Sequence, residues 1–223
     1  MPETNIRVGS MTLGMVQTNC YFVYREDGRD HSAGVSYDEP TPVIFFDPAD
    51  KGQFIYEALS TRGFIVDTIL LTHGHFDHIG GADELRKLSG AKVYAYEKEK
   101  SVCEDVENNL SCNYGRGYTV VPDDYLDDLH MIEAAGLKCQ LIATPGHTVG
   151  GCCYYFDEGH ILICGDTLFE ESVGRTDFPT GSMGTLVNSI RERLLGLPED
   201  TVCYPGHGGV TTIGHEKQYN PFL

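Results

Sequence analysis

Basic side chains are scarce in this chain of 223 residues, which has 16 lysines and arginines against 33 aspartates and glutamates. The formal net charge is −17. A surface that binds nucleic acid or an anionic membrane needs stripes of basic residues, because it must neutralise phosphate groups. The composition therefore predicts that neither nucleic acid nor a membrane is a partner.

Long hydrophobic runs are also missing, since no apolar stretch approaches the roughly 20 residues of a membrane-spanning helix. Residues 1–14 lack the basic and then apolar segments of a secretory signal peptide. The eight cysteines are scattered through predicted strands without zinc-ribbon spacing. We therefore expect a cytoplasmic protein with reduced, mostly buried thiols, in which Cys103 and Cys112 are the candidates for exposure.

No linker rich in proline and serine divides the chain, and a hydrophobic content of 41% is enough for a core. We therefore expect one α/β domain over residues 1–223, with elements in the order β-β-β-α-β-α-β-α and then β-β-β-α-β. Two sheets with helices on their outer faces suit this order. The predicted strands cover 6–24 (two strands around a turn at 17–19), 43–46, 65–71, 92–96, 137–143, 152–156, 161–164 and 201–204. The predicted helices cover 51–61, 82–88, 98–106 and 184–195, with a polar loop at 26–42 and a mobile loop at 108–117.

The highest density of reactive side chains lies in residues 72–81, Thr-His-Gly-His-Phe-Asp-His-Ile-Gly-Gly, directly after an apolar run. In an extended chain His73, His75 and Asp77 would point to one side, whereas His78 requires a turn, which the neighbouring glycines permit. Imidazole and carboxylate groups at this density are ligands for zinc, iron or manganese. The segment therefore predicts a metal site rather than a polar loop with coincidental histidines.

Further candidate ligands follow predicted strands at three later positions. His147 and His207 each come after Pro-Gly, a turn that can hold an imidazole rigidly. Asp166 ends a strongly apolar strand, where an ionised carboxylate needs a cation, and ligands gather where the strands of α/β folds end. The resulting set has seven side chains, too many for one tetrahedral ion, so two ions sharing one carboxylate is the economical arrangement. The seven are His73, His75, Asp77, His78, His147, Asp166 and His207.

Two divalent cations at such a site carry four positive charges, of which Asp77 and Asp166 cancel two. A bridging hydroxide cancels a third, so the site stays attractive to an anionic transition state. Metal binding lowers the pKa of water towards ~7, and the hydroxide therefore exists at neutral pH. The predicted chemistry is hydrolysis, with Asp77 orienting the hydroxide.

The pattern H-x-H-x-D-H followed by His, Asp and His resembles the metallo-β-lactamase superfamily, and within it the compact glyoxalase II-like hydrolases. This resemblance implies a four-layer αβ/βα sandwich with a dinuclear site at one edge of the two sheets. The expected cofactors are two divalent ions, zinc in the first place and iron or manganese as alternatives. The resemblance assigns His73, His75 and His147 to one ion, Asp77, His78 and His207 to the other, and Asp166 to both as a bridge.

Asp166 stands where the best-known antibiotic-destroying lactamases carry cysteine, which disfavours lactam hydrolysis. The runs 165–169 and 174–178 resemble glyoxalase II-like proteins, and the second run also resembles persulfide dioxygenases. The leading hypothesis is hydrolysis of a small thioester of the S-lactoylglutathione type. The alternative is a persulfide dioxygenase with one Fe(II) held by His73, His147 and Asp166. A nuclease fits the charge poorly, and a non-enzymatic binding module is the weakest hypothesis.

Recognition of the thiol is a separate question. Glyoxalase II holds glutathione with basic residues of a C-terminal extension, whereas residues 208–223 contain one lysine and no arginine. This departure argues against glutathione as the natural thiol. Arg175 falls where glyoxalase II has a lysine near the substrate, and it either binds a substrate carboxylate or pairs with Asp177. Further candidate pocket residues are Phe169, Phe178, Tyr114 and Arg116.

Two other residues have alternative interpretations. Asp47, before Pro48, either braces residues 72–81, which we call the metal loop, or caps a turn. Cys20 is expected in the core rather than as a nucleophile, because no histidine motif accompanies it. The sequence does not indicate which oligomeric state the protein has. The remaining histidines are expected at the surface or in caps. These histidines are His31, His130, His160 and His215.

Overall fold

A computed structural model describes residues 5–34 and 38–223. Positions 35–37 of the predicted polar loop, and residues 1–4 of the segment tested for a signal peptide, lie outside the described residues. The described chain forms two six-stranded sheets and one small hairpin.

The first sheet has the order β1-β2-β3-β4-β5-β6. Its first three strands are antiparallel, and β3 to β6 run parallel. Parallel neighbours require crossover connections, and the helices between them lie on one face of the sheet. The strands are β1 (Ile6–Leu13), β2 (Thr18–Arg25), β3 (Thr41–Phe46), β4 (Phe64–Leu70), β5 (Lys92–Tyr96) and β6 (Asp124–Leu126). The helices are α1 (Gly52–Ser60), α2 (Phe76–Ile79), α3 (Ala82–Ser89) and α4 (Lys100–Cys103).

The second sheet has the order β14-β13-β10-β9-β8-β7, in which β10 and β13 are parallel. Its strands are β7 (Met131–Ala134), β8 (Leu137–Ala143), β9 (Cys152–Phe156), β10 (Ile161–Gly165), β13 (Val202–Pro205) and β14 (Thr211–Thr212). Along the chain, β10 is followed by a hairpin of β11 (Leu168–Phe169) and β12 (Ser172–Val173), and then by the helices. The helices are α5 (Met183–Ser189), which continues as a π-helical turn over Ile190–Leu194, and α6 (Ile213–Tyr219).

Three apolar layers hold these elements together. In β3, Val43 and Phe45 pack towards α1 and α3, whereas Ile44 and Phe46 pack against the second sheet. Strands β9 and β10 alternate in the same way between the inter-sheet layer and the layer under α5. Both faces of these strands are buried, so they read as continuous hydrophobic runs in the sequence. The predicted four-layer αβ/βα sandwich is confirmed.

Several short strands escaped the sequence prediction. Strands β6, β7, β11, β12 and β14 have two to four residues each. Such short segments carry too little alternation to be recognised, and backbone pairing with a neighbour defines them.

The region between β5 and β6 also differs from the prediction. The helix expected over 98–106 is a 3-10 turn, Glu97–Glu99, followed by the four residues of α4. Cys103 is buried rather than exposed, because it packs under the metal loop, while Cys112 is exposed. The segment predicted as a mobile loop is partly packed, since Asn109 is buried and its Nδ2 donates to the Tyr118 carbonyl at 2.8 Å.

Among the helices of residues 5–34 and 38–223, none combines the length and the apolar character that crossing a membrane requires.

Candidate metal centre

The predicted ligands follow four strands. In the second sheet β8, β10 and β13 run in the same direction, because β8 and β10 are both antiparallel to β9 and β13 is parallel to β10. Their carboxyl ends therefore lie at one edge of that sheet. The segment after β4 joins this edge through the backbone, since the Cys152 N–H donates to the Thr72 carbonyl at 2.9 Å.

The segment after β4 changes direction within four residues. His75 is the N-cap of α2, and the His78 N–H donates to the His75 carbonyl at 2.9 Å. This helical turn carries Asp77 away from His73. The expectation that His73, His75 and Asp77 share one side was therefore wrong, because it assumed an extended chain as far as residue 77.

Three histidines form the first group, which we call the three-histidine group: His73, His75 and His147. Their ring centroids lie 4.6–4.9 Å apart, with the rings close to perpendicular. Nδ1 of His75 lies 2.9 Å from Nε2 of His147. Nδ1 of His147 donates to the Arg175 carbonyl at 2.7 Å, so the lone pair of its Nε2 faces the group.

The second group, which we call the mixed group, contains Asp77, His78 and His207. Oδ2 of Asp77 lies 3.2 Å from Nε2 of His207 and 3.7 Å from Nε2 of His78. The sequence pattern of three histidines and one carboxylate thus divides between two groups, in the pairing that the family resemblance implies.

Asp166 lies between the two groups. Its Oδ2 is 3.6 Å from Nε2 of His147 and 3.6 Å from Nε2 of His207, and its Oδ1 is 3.5 Å from Nε2 of His78. One carboxylate therefore faces both groups, which is the position of a bridging ligand.

The donor atoms fit divalent ions on an observation of the structure itself. Within the described residues, the buried atoms Nε2 of His73, Nε2 of His78 and Oδ1 of Asp166 have no hydrogen-bond partner. Buried polar atoms without partners cost free energy, unless an ion or water satisfies them. The atoms of each group lie within 4.8 Å of one another, and neutral imidazole with carboxylate is a donor set that zinc, iron and manganese accept.

The pKa shifts of the proposed ligands, caused by the protein alone, already favour metal binding. Burial and the neighbouring imidazoles hold the pKa values of His73 and His75 well below 6.5, so both rings are neutral. Burial disfavours charge on Asp77, but the adjacent His78 and His207 outweigh it and lower the pKa of Asp77. Burial likewise opposes charge on His78, yet Asp77, Asp166 and Asp47 raise its pKa to about 10. A cation at the mixed group would replace this proton.

Asp47 braces the metal loop, which decides between its two interpretations. Its Oδ2 accepts from Nδ1 of His78 at 2.9 Å and from the Thr72 hydroxyl at 2.6 Å, and its Oδ1 accepts from the Thr72 N–H at 2.7 Å. The Thr72 oxygen in turn lies 3.1 Å from Nδ1 of His73. Both histidines therefore present Nε2 to the site, as ligating histidines do when a hydrogen bond fixes the other nitrogen.

Strand β2 supplies supporting residues that sequence reasoning missed. The Thr18 hydroxyl donates to Oδ2 of Asp77 at 3.0 Å. Nδ2 of Asn19 donates to the carbonyls of Pro205 and Gly208, and the Asn19 N–H donates to the Gly206 carbonyl, so Asn19 holds the turn that carries His207. The turn at 17–19 was visible in the sequence, but the partner of Thr18 lies 59 residues away and the side-chain partners of Asn19 lie more than 180 residues away.

A cavity of about 450 Å³ opens onto both groups. Its wall includes the stacked rings of Phe76 and Tyr114, with centroids 4.2 Å apart. Predicted pocket residues Phe169, Phe178, Tyr114 and Arg175 line the cavity, whereas Arg116, which is exposed, does not. The remaining walls are mostly apolar and come from Val16, Leu110, Ser172 and Val173.

Arg175 makes the contact with Asp177 that was one of its two interpretations, and binding of a substrate carboxylate stays a prediction. Its Nε and one terminal nitrogen donate to the two oxygens of Asp177, each at 2.7 Å, and its guanidinium lies 3.9 Å from the ring centroid of Phe178. The hydrogen bond from Arg175 lowers the pKa of Asp177 to about 2, so the pair stays ionised. The guanidinium lines the cavity, but its charge is already compensated.

The other candidate residues lie away from the metal groups. Cys20 is buried, and burial raises the pKa of its thiol to about 12, as expected of a core residue. Within the described part of the chain, the four remaining histidines belong to neither metal group. His160 contacts Asp200, His215 contacts Glu171, His31 contacts the Arg62 carbonyl, and His130 is exposed.

Two curated relatives match most of the chain. The probable metallo-hydrolase YqgX of Bacillus subtilis is 36% identical over 220 residues, which are 96% of this chain and 95% of the relative. The hydroxyacylglutathione hydrolase GloC of Haemophilus influenzae is 32% identical over 191 residues, which are 84% of this chain and 90% of the relative.

Solved structures match the architecture. The BLEG-1 B3 metallo-beta-lactamase has a TM-score of 0.86 at 34% identity and covers 97% of this chain and 99% of its own. TTHA1623 in a di-iron-bound form has a TM-score of 0.78 at 32% identity, with coverages of 96% and 100%. ETHE1 from Myxococcus xanthus, at 23% identity and a TM-score of 0.73, covers 96% of this chain and 83% of its own and shares the fold.

A sequence profile of the family described as "Metallo-beta-lactamase superfamily" matches residues 33–207, the range that contains all seven side chains of the two groups. Together with the relatives, this match establishes that the chain belongs to the metallo-beta-lactamase superfamily and to its metal-dependent hydrolases.

Proposed function

We propose that the protein hydrolyses a small thioester of the S-lactoylglutathione type, with two divalent metal ions held by the seven side chains. The observation that carries this proposal is Asp166, whose two oxygens face the three-histidine group and the mixed group at 3.5–3.6 Å. The hydroxyacylglutathione hydrolase GloC, at 32% identity, supports the thioester as the substrate class.

The roles of the side chains follow from their positions. His73, His75 and His147 would hold one ion, Asp77, His78 and His207 the other, and Asp166 both. When bound, the ions lower the pKa of coordinated water towards ~7 and polarise the acyl carbonyl. Asp77 stays ionised because its pKa is lowered, so it can accept a hydrogen bond from the attacking water. No serine or cysteine nucleophile is required, in agreement with the buried, inert thiol of Cys20.

The cavity suits a thioester with an apolar acyl group better than a thioester whose thiol part is strongly anionic. Among the described residues that line it, Arg175 is the one cationic lysine or arginine, and Asp177 already pairs with it. The rings of Phe76, Tyr114 and Phe178 offer apolar surface next to the metal groups. Glutathione, with two carboxylates, would find little compensating charge here, which supports the expectation that the thiol differs from glutathione.

Replacing Asp166 tests the proposal. Protein loaded with two equivalents of zinc should cleave S-lactoylglutathione, and an N-acetylcysteamine thioester of the same acyl group should be cleaved at least as well. Asp166→Ala should abolish turnover in both assays, because neither ion keeps its shared ligand. Asp83→Ala, at an exposed site on α3, is the matched control and should retain wild-type turnover. Unchanged turnover in Asp166→Ala would contradict the assigned mechanism.

Two other reactions are measured beside the thioesters. BLEG-1, at 34% identity, is a B3 metallo-beta-lactamase, so β-lactam hydrolysis is the second candidate, and a chromogenic cephalosporin tests it. The dioxygenase alternative requires a single iron and predicts oxygen uptake with glutathione persulfide. Metal analysis that finds two ions, together with thioester cleavage and no oxygen uptake, is the expected result. One iron per chain with persulfide-dependent oxygen uptake would overturn the hydrolase.

A further inference from the structure

Glu99 is a buried carboxylate that the proposed reaction does not use. Its side chain is 1% exposed, and it stands at the end of the 3-10 turn Glu97–Glu99. Within the part of the chain that the structure describes, no lysine, arginine or histidine forms an ion pair with it. Burial raises the pKa of this carboxyl to about 7, against the three hydrogen bonds that it accepts. An unpaired buried carboxylate is costly, and such groups persist where they serve a purpose.

The three donors to Glu99 come from the two segments that carry the three-histidine group. Oε1 accepts from the N–H of Gly74, the residue between His73 and His75, at 2.8 Å. Oε2 accepts from the hydroxyl of Thr148, the residue after His147, at 2.9 Å, and from the Gly150 N–H at 2.8 Å. The first segment follows β4 of the first sheet and the second follows β8 of the second sheet. One carboxylate thus ties together two ligand segments from different sheets.

The backbone around Glu99 packs directly against both ligand segments. A Cβ on Gly150 would overlap the Glu99 nitrogen and the Lys98 carbonyl carbon. A Cβ on Gly74 would lie 2.7 Å from the Cys103 nitrogen. The chain from Lys98 to Cys103 is therefore in direct contact with both ligand segments, and Glu99 bonds to each of them.

The mixed group has different supports. Asp47 bonds to His78, Thr18 to Asp77, and Asn19 to the turn that carries His207. Glu99 forms no hydrogen bond to any member of that group among the described residues. Glu99 is therefore a brace of the three-histidine group alone, although both groups share Asp166 and Asp47 also reaches His73 through the Thr72 hydroxyl.

We propose that Glu99 is a positioning residue that sets the spacing of the three-histidine group, and thereby the metal affinity of that group alone. The proposal rests on the ligand assignment of the proposed function. The expected size of the effect is that of other residues that orient metal ligands, whose replacement costs about 10- to 100-fold in metal affinity.

Glu99→Gln tests the role with little change of shape. In either orientation of the amide, its NH₂ group replaces an acceptor, and the N–H of Gly74 or of Gly150 loses its partner. The affinity of each site is measured separately by competition for zinc with a chromophoric chelator. His207→Ala leaves the three-histidine group as the complete site, and His147→Ala leaves the mixed group. In the His207→Ala background, Glu99→Gln should weaken zinc affinity at least 10-fold. In the His147→Ala background, the same substitution should change zinc affinity less than twofold.

Three further variants keep the test informative even if Glu99→Gln does not fold. Thr148→Val removes one of the three hydrogen bonds and leaves the charge, so it should weaken the same site by a smaller factor, while Thr148→Ser should restore the affinity. Glu97→Gln, two residues away and exposed, is the matched control and should bind zinc like its parent. The cobalt(II) absorption spectrum of the His207→Ala background should change with Glu99→Gln as the geometry of its ligands relaxes.

Each contrary outcome has its own meaning. Equal weakening of both sites by Glu99→Gln, or weakening of neither, would overturn the positioning role while leaving the ligand assignment intact. If Glu99→Gln does not fold, wild-type affinity in Thr148→Val overturns the role. Parent variants that bind no zinc would overturn the ligand assignment and the positioning role together.

Discussion

Single carboxylates determine which atoms the histidines present to the site. Asp47 contacts His78 directly and reaches His73 through the Thr72 hydroxyl, so one side chain orients a member of each metal group. The sequence allowed this role or a turn cap, because a short-range turn and a contact 31 residues away leave the same local pattern. Glu99 lies in a charged stretch that resembles a solvated helix face, and its burial depends on two glycines in distant segments. Such long-range contacts cannot be predicted from one sequence.

At Glu99 the raised pKa predicts an unusual pH dependence of stability in metal-free protein. The carboxyl has its ordinary pKa of 4.5 in the unfolded chain and a pKa of about 7 in the folded one. Between these values the folded state binds more protons, so the free energy of unfolding falls as the pH rises towards 7 and levels off above it. Between pH 5 and pH 8 the wild type should lose about 3 kcal/mol more than Glu99→Gln does.

Urea unfolding of both metal-free proteins at pH 5 and pH 8 measures this difference. All other titrating groups are common to the two proteins and cancel in the comparison. Parallel stability curves for the wild type and Glu99→Gln would show that the carboxyl titrates normally in the folded state.

Two closely packed glycine turns hold His147 and His207 in place. Gly146 in the turn before His147 has φ +138°, and a Cβ there would overlap the Leu186 backbone of α5. Gly206 in the turn before His207 is restricted by side chains instead, since its Cβ would overlap Oδ1 of Asp166. In both turns the glycine lets the chain approach a neighbour closely, and the histidine that follows is therefore fixed.

Gly146→Ala should consequently damage both the fold and the site. The new methyl group forces α5 away and strains the backbone, which we expect to cost about 2–4 kcal/mol and to displace His147. Gly184→Ala, in α5 itself, meets no atom within 4 Å and should leave stability unchanged or raise it by up to about 1 kcal/mol. Chemical denaturation and zinc content of the two variants provide the measurement. Wild-type zinc content and stability in Gly146→Ala would refute the close-contact explanation.

The elements that could be predicted are those with strong local signals. Strand β5 was predicted over its full length, and α3, predicted over 82–88, ends at Ser89 with Gly90 as its left-handed C-cap. The prediction of a helix over 98–106 was wrong. The charged pattern of this segment favours a helix, but the contact of Lys98–Cys103 with the ligand segments interrupts it. Local propensity thus predicts an element until a tertiary contact competes with it.

Across the whole molecule, the proposed ligands come from both sheets. The segment after β4 belongs to the first sheet, and His147, Asp166 and His207 follow strands of the second. Ions held by all seven side chains would therefore link the two halves of the sandwich. The overall arrangement could be predicted because the ligand pattern spans residues 72–207, whereas the register of the sheets depends on packing between residues far apart in sequence.

Removal of metal should therefore lower the stability of the entire fold. A ligand that binds only the folded state adds about 4 kcal/mol per site at a free concentration 1,000-fold above its dissociation constant. The thermal midpoint should rise by several degrees when zinc is added to chelator-treated protein and should return on renewed chelation. Calorimetry of wild type and Asp166→Ala provides the comparison, since the variant should gain less. An identical midpoint with and without zinc would contradict a link between the sheets.

Strand β10 is packed on both faces and also positions the carboxylate that the two metal groups share. Ile161 and Ile163 pack into the layer between the sheets, Leu162 and Cys164 pack under α5, and Asp166 follows directly. A change of volume on either face would shift the strand and, with it, the carboxylate that both groups share. Substitutions on either face of β10 should therefore be poorly tolerated. Laboratory evolution of this enzyme towards new substrates should instead change residues of the cavity walls around Tyr114 and Phe178.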